Sequence, residues 1–97
     1  MKIVIQSSAL ADLAGGFDFY EQIEPGLGGY FLDSLYSDID SLQLYAGIHM
    51  IHFGKFHRLP SKRFPCGIYY QVRENAVIVR AVLDLRRDPE WIKQRLG

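Results

Sequence analysis

Apolar and polar positions change rhythm several times along this chain. Lys2 to Gln6 has a short apolar centre, Ile3-Val4-Ile5, which predicts a β-strand. Ser7 or Ser8 is placed to cap a following helix, its hydroxyl accepting an otherwise orphaned backbone N–H. Leu10, Leu13, Ala14, Phe17 and Tyr20 then recur at helical spacing, with Asp12, Asp18 and Glu21 off the stripe. Gly15-Gly16 should interrupt that helix, since each glycine costs about 1 kcal/mol relative to alanine, so a bend or a close backbone approach is expected there. Glu24-Pro25-Gly26 breaks the pattern. Leu27, Phe31, Leu35, Ile39 and Leu42 resume it at steps of four, four, four and three, predicting a second helix. So short a connection makes the two helices an antiparallel hairpin, acidic on its outside. Tyr30, Leu32 and Tyr36 lie off the main stripe and widen its apolar face, toward a sheet or a partner.

From Gln43 to Gly54 the periodicity fails, predicting a loop with one extended piece. Phe56 to Lys62 reads as a strand, confined by Pro60 to an edge or a bulge. Two β-rich runs follow, Ile68-Tyr69-Tyr70-Gln71-Val72 and Val77 to Leu83, joined by the polar turn Arg73-Glu74-Asn75-Ala76. Asn75 suits that turn because its side chain tolerates a left-handed backbone. The second run is apolar on both alternating faces except at Arg80 and Asp84, as expected of the central strand of a sheet covered on each side. Asp88 can cap a last short helix with Pro89 at its first position, running on through Trp91 to Leu96. The class predicted is α+β: an N-terminal strand, an α-helical hairpin, then a mostly antiparallel sheet of about four strands and a short C-terminal helix, in a single domain over residues 1–97.

Composition adds that 97 residues, 48% of them apolar, can build a modest core with nothing to spare, so apolar surface left open implies a partner. The lone Cys66 cannot form an intramolecular disulfide, and no signal peptide or membrane-length apolar run is visible, so a reducing cytoplasm is expected. His49, His52 and His57 raise the question of a metal. No Cys or carboxylate cluster accompanies them and their spacing matches no closed zinc pattern, so no metal or other cofactor is expected.

A formal net charge of zero conceals a division. Residues 1–54 contain one cation, Lys2, against seven carboxylates, a formal −6; residues 55–97 contain ten cations against four carboxylates, a formal +6. Either the halves pair with each other, or one surface meets a polyanion or an acidic partner. The second reading is preferred because the apolar pattern already accounts for how the halves pack.

Particular residues sharpen this picture. Arg63-Phe64-Pro65 with Ile68-Tyr69-Tyr70-Gln71-Val72, and Val82-Leu83-Asp84-Leu85-Arg86-Arg87-Asp88-Pro89 with Trp91 and Arg95, resemble the second half of RelE/ParE superfamily toxins from bacterial type II toxin–antitoxin modules, in the ParE-like and plasmid-stabilisation branch. Pro25-Gly26-Leu27-Gly28 followed by Phe31-Leu32 supports the match more weakly. The resemblance implies a growth-inhibiting protein held in a hetero-oligomer by a cognate antitoxin. Leu13, Phe17, Tyr20, Tyr30 and Tyr36 are candidate antitoxin contacts. It implies one of two targets without membrane involvement: DNA gyrase, inhibited by binding, or messenger RNA on the ribosome, cleaved by a metal-independent endoribonuclease. A degenerate, non-toxic antitoxin-binding or autoregulatory subunit is the third possibility.

RNA cleavage needs a base, a cation for the phosphate and an acid for the leaving oxygen. Candidates are Arg58, Arg63, Tyr70, Arg80, Arg86 and Arg87, with Tyr69 also able to stack on a base. For target binding the candidates are Arg58, Lys62, Arg63, Arg80, Asp84, Arg86, Arg87 and Trp91. Against the family pattern, the central-strand arginine of many ribonuclease members falls at Gly67, a histidine of several ParE-like relatives is Asp84, and a terminal tyrosine has no counterpart beyond Trp91. These departures favour gyrase inhibition over cleavage. Asp84 either pairs with Arg86 or Arg58 to fix the tail or serves as a general base; Trp91 is expected to anchor the last helix.

Overall fold

A computed structural model describes residues 1–97. The elements are β1 (Lys2–Ile5), α1 (Ser7–Ile23), α2 (Leu27–Asp40), α3 (Leu42–Tyr45), β2 (Ile51–His52), β3 (Phe56–Pro60), β4 (Cys66–Arg73), β5 (Ala76–Asp84) and α4 (Pro89–Leu96). The five strands form one sheet in the order β1-β5-β4-β3-β2, with β1 parallel to β5 and the other neighbours antiparallel. The α1–α2 hairpin covers one face and α4 part of the other. The expected α+β architecture is therefore present, with one strand more than predicted. The centre of the sheet is β4, not β5, because two strands, β3 and β2, add on the far side of β4 while only β1 pairs along the outer side of β5.

Between hairpin and sheet lies the larger core, built on Leu13, Phe31, Leu35, Ile39, Ile68, Tyr70, Val77, Val79 and Val82. A second core lies on the opposite face, where Ile92 and Leu96 of α4 cover Phe56, Tyr69, Ala81 and Leu83. The α4 helix begins as predicted, with the Asp88 carboxylate accepting the Glu90 N–H at 3.1 Å and Pro89 in its first turn. Its anchors are Ile92 and Leu96; Trp91, expected in that role, stays 36% exposed.

Local expectations fail where a tertiary partner takes over. Helix α1 runs without interruption through Gly15-Gly16, and Gly16 is where the Phe31 ring closes on the helix, leaving no room for a Cβ. Its buried side is rotated from the predicted stripe: Ala9 and Leu13 are buried, whereas Leu10 is exposed. Neither Ser7 nor Ser8 caps it, because the Ser8 hydroxyl instead donates to the Arg80 carbonyl at 2.8 Å. In the β4–β5 turn the left-handed residue is Glu74 (φ 55°), not Asn75, whose carbonyl accepts the Lys2 N–H and starts the β1 pairing. Pro60 does not make β3 an edge strand; the two-residue β2 pairs with Phe56 and His57, and Pro60 sits beyond its reach. The outside of the hairpin is not uniformly acidic either, since Asp38 is buried and accepts from the Ser61 hydroxyl and the Lys62 N–H.

Candidate functional site

The last third of β5 positions most of the candidate residues, and a β-bulge sets how it does so. Tyr70 pairs with Val79 but Tyr69 with Ala81, leaving Arg80 as the extra residue. The bulge resets the alternation of side chains. Val77 and Val79 before it and Val82 after it all join the larger core, while Ala81 and Leu83 join the smaller one. Arg80 is turned toward the α4 side, where its Nη1 donates to Gln71 Oε1 at 3.3 Å.

Beyond the end of β1 the outer edge of β5 would be open, and α1 closes it. Ser8 takes the Arg80 carbonyl, and Asp12 Oδ2, one helical turn later, accepts the Val82 N–H at 3.0 Å. The other Asp12 oxygen receives Arg95 Nη2 at 2.7 Å, tying α4 back onto α1. This is the one ion pair joining the acidic first half to the basic second half; the other lies within the tail. The charge division is thus left largely open to solvent and partners.

In the tail, Arg86 folds over Asp84 as a fork: Nε donates to Oδ1 at 3.0 Å and Nη2 to Oδ2 at 2.7 Å, and the Arg86 backbone N–H also donates to Oδ1. The side-chain hydrogen bonds from Arg86 hold the Asp84 carboxyl below its usual range, against the opposing pull of burial. Of the two partners foreseen for Asp84, Arg86 is the one used. Arg87 has no carboxylate partner and lies 3.9 Å above the Trp91 ring in a cation–π contact. Both residues border a cleft of about 410 Å³ between α1 and the end of β5, with Gly15, Phe19, Tyr20 and Cys66 on its other walls. Burial and then the Asp84 charge push the Cys66 thiol up to about 11, so it is an inert protonated side chain. Burial raises Tyr20 as well.

The candidates for catalysis do not converge. Tyr70 is fully buried on the hairpin side: the Gly47 N–H donates to its oxygen at 3.0 Å, His49 Nδ1 lies 2.5 Å from it, and the His57 ring stacks on its ring. Arg58 and Arg80 lie on the opposite face, Arg63 in the bend before β4, and Arg86 and Arg87 beyond the end of β5. Arg58 crosses the sheet over Gly67; a Cβ there would stand 3.1 Å from its Cγ and Cδ and 2.7 Å from Leu85. Its Nε is buried without a partner, as is the Tyr69 hydroxyl beside it. Lys62, Arg63, Arg86 and Arg87 remain exposed.

Among the candidate antitoxin contacts, Leu13 is 2% exposed and sits inside the core, so it cannot meet a partner. Phe17 and Tyr20 are half-buried, Tyr20 stacked on Phe31 and edge-on to Phe64. Tyr30 and Tyr36 are exposed. Leu10, Phe19 and Ile23 are exposed too and were not anticipated. Their signal was the excess of apolar residues on α1 over what one stripe can bury. No helix is long and apolar enough to cross a membrane.

No family model and no curated protein matches the chain. Among solved structures, a chain of the "Chromosomal ParDE TA system from P. aeruginosa" is similar, with a TM-score of 0.77 at 19% identity, covering 84% of this chain and 92% of that one. At this identity the likeness is one of fold, and it bears out the RelE/ParE-like architecture expected from the sequence.

Proposed function

We propose that this protein is the toxin of a type II toxin–antitoxin module, acting by binding DNA gyrase and neutralised by a cognate antitoxin. The observation that carries the reading is the likeness in fold, over most of both chains, to a ParDE system. The charge division supports it. Exposed Lys62, Arg63, Arg86 and Arg87 offer a basic end, while Phe19, Tyr30 and Tyr36 on an acidic hairpin offer apolar anchors to a wrapping segment.

Binding is preferred to cleavage because the groups that would move protons are engaged or enclosed. The Asp84 carboxylate is committed to the Arg86 fork, Tyr70 is enclosed with two histidines, and the Tyr69 hydroxyl is buried beneath α4. A ribonuclease would need a base and an acid beside the arginines. In the binding reading, Arg87 over Trp91 and the forked Arg86 form the face that meets the target.

The test is growth after induced expression, with and without the product of the adjacent gene, in wild type and Arg86→Ala/Arg87→Ala, following a DNA-damage reporter and total messenger. Arrest with damage signalling, relieved by the neighbour's product and weakened in the double variant, is expected. Arrest with rapid messenger loss and no damage would replace gyrase inhibition by RNA cleavage. A folded protein that causes no arrest would leave only a binding subunit.

A further inference from the structure

The two charge groups of the sequence end on opposite sides of the sheet. All seven carboxylates of residues 1–54 lie on α1, α2 or the connection between them. On the other face α4 covers only a part, where Ile92 and Leu96 sit over Phe56, Tyr69, Ala81 and Leu83. The rest of that face, where β1, β5 and β4 run side by side, is open. Strand alternation identifies its side chains. Ile3, Val77 and Val72 pack into the hairpin core, so their neighbours Lys2, Val4, Ala76, Ile78, Gln71 and Arg73 point the other way. Lys2 and Arg73 are exposed, the other four are half-buried, and none is enclosed.

Four cations frame this open area. Lys2 and Arg73 flank Ala76 from the two neighbouring strands, which sets their Cα atoms two strand spacings apart, about 10 Å. Arg80 lies four residues farther along β5, roughly 12 Å away. Its guanidinium is held by Gln71, whose Nε2 donates in turn to the Lys55 carbonyl at 3.4 Å and brings Lys55 to the border. None of the four takes part in an ion pair, since both ion pairs of the molecule lie elsewhere, at Asp84–Arg86 and Asp12–Arg95. One carboxylate stands at the margin, Glu74 in the β4–β5 turn; on α4, Glu90 is offset by Lys93. Lys2 is the only cation of the first 54 residues, and this is where it lies.

We propose that this open half of the sheet binds the phosphate backbone of duplex DNA without regard to sequence. The make-up of the face selects that occupant. Single strands are held by rows of aromatic rings on which bases stack, but the open area has no ring, and Phe53, beside Lys55, is a single one at its rim. Duplex RNA is recognised partly through its 2′-hydroxyls, and the one amide on the face, Gln71, already has both ends engaged. An acidic protein segment needs apolar anchors. Here those are only the half-buried Val4 and Ile78, whereas the exposed rings Phe19, Tyr30 and Tyr36 are on the hairpin. Duplex DNA offers a phosphate on each strand every ~3.4 Å, so cations about 10–12 Å apart each meet one without a matched register. Such contacts hold the backbone and read no bases. Lys62, Arg63, Arg86 and Arg87 lie beyond the opposite ends of these strands, so the proposal goes beyond the toxin reading and does not rest on it.

The experiment is fluorescence anisotropy of a labelled mixed-sequence DNA duplex with the full chain, at several salt concentrations. The proteins are wild type, Lys2→Gln/Arg73→Gln, Lys55→Gln and Arg86→Ala/Arg87→Ala. Four phosphate contacts give a slope of log affinity on log salt of about −3.6, so wild-type affinity should fall about 150-fold between about 50 and 200 mM. Lys2→Gln/Arg73→Gln should keep the wild-type circular dichroism, both side chains being exposed, and lose about half of that slope. Lys55→Gln should lose about a quarter, and Arg86→Ala/Arg87→Ala should bind as wild type does. No binding at about 50 mM salt overturns the proposal. So does a slope that Lys2→Gln/Arg73→Gln and Lys55→Gln leave unchanged, or one lost in Arg86→Ala/Arg87→Ala, which would move the site to the basic end. Tighter binding of a single strand or of duplex RNA of equal length overturns it in favour of those ligands. Polyglutamate displacing the probe as well as unlabelled duplex does would assign the face to an acidic protein segment and overturn it too.

Discussion

Tyr69 and Tyr70 are chain neighbours, both fully buried, and the structure gives their hydroxyls opposite fates. The Tyr69 oxygen has no hydrogen-bond partner beneath α4. The Tyr70 oxygen accepts the Gly47 N–H at 3.0 Å and shares a second hydrogen bond with His49 Nδ1 at 2.5 Å. A buried hydroxyl without a partner forfeits about 1–3 kcal/mol of hydration that the unfolded chain retains. Tyr69→Phe removes only that oxygen and leaves the ring packing intact, so it should stabilise the fold by about 1 kcal/mol. Tyr70→Phe deletes two hydrogen bonds and leaves two polar groups to find water near the surface, a loss of about 1–2 kcal/mol. For a domain of this size each kcal/mol moves Tm by about 4–8 °C. The two variants should therefore lie on opposite sides of wild type. Thermal and urea unfolding followed by far-ultraviolet circular dichroism measures this, with unchanged m-values as the check that the same surface is exposed on unfolding. Tyr69→Phe less stable than wild type by about 1 kcal/mol or more would refute the reasoning, since it would mean that the hydroxyl has a partner.

Three further outcomes follow from the same geometry. Burial, and secondly His57, hold His49 below its ordinary value, so below about pH 6.5 the unfolded chain binds the extra proton first and stability falls as pH drops through that range; urea midpoints between about pH 7.5 and 5.5 should show this slope, and His49→Gln should reduce it without abolishing it, because burial lowers His52 too. Gly28→Ala puts a Cβ 2.8 Å from the Phe17 carbonyl and should weaken the helical hairpin by about 3 kcal/mol, whereas Gly29→Ala meets nothing and should stabilise α2 by up to about 1 kcal/mol; equilibrium unfolding of both tests the contrast. Asp12→Asn keeps an acceptor for the Val82 N–H but loses the Arg95 charge pair and should cost about 1 kcal/mol or less, while Asp12→Ala also orphans the strand amide and should cost about 2–3 kcal/mol, with faster exchange at Val82 in the alanine variant alone.

What the sequence determined by itself was carried by local periodicity and local chemistry. The step-of-four stripe from Leu27 to Ile39, the β-rich runs around Tyr69 and Val79, and the Asp88-Pro89 helix start each depend on residues a few positions apart, and each formed. The Asp84–Arg86 pair was equally legible, because it closes over two residues. Tertiary structure decided what depends on neighbours far along the chain. The Arg80 bulge cannot be read from β5 alone, since it exists only against the register of β4, yet it determines which side chains reach each core. Gly15-Gly16 reads as a break until the Phe31 ring arrives to use the missing Cβ. Ser8 and Asp12 read as a cap and a solvated acid until the unpaired edge of β5 is laid beside them; backbone groups with no other partner then claim both side chains. Asp12 in turn holds Arg95, from the other end of the chain.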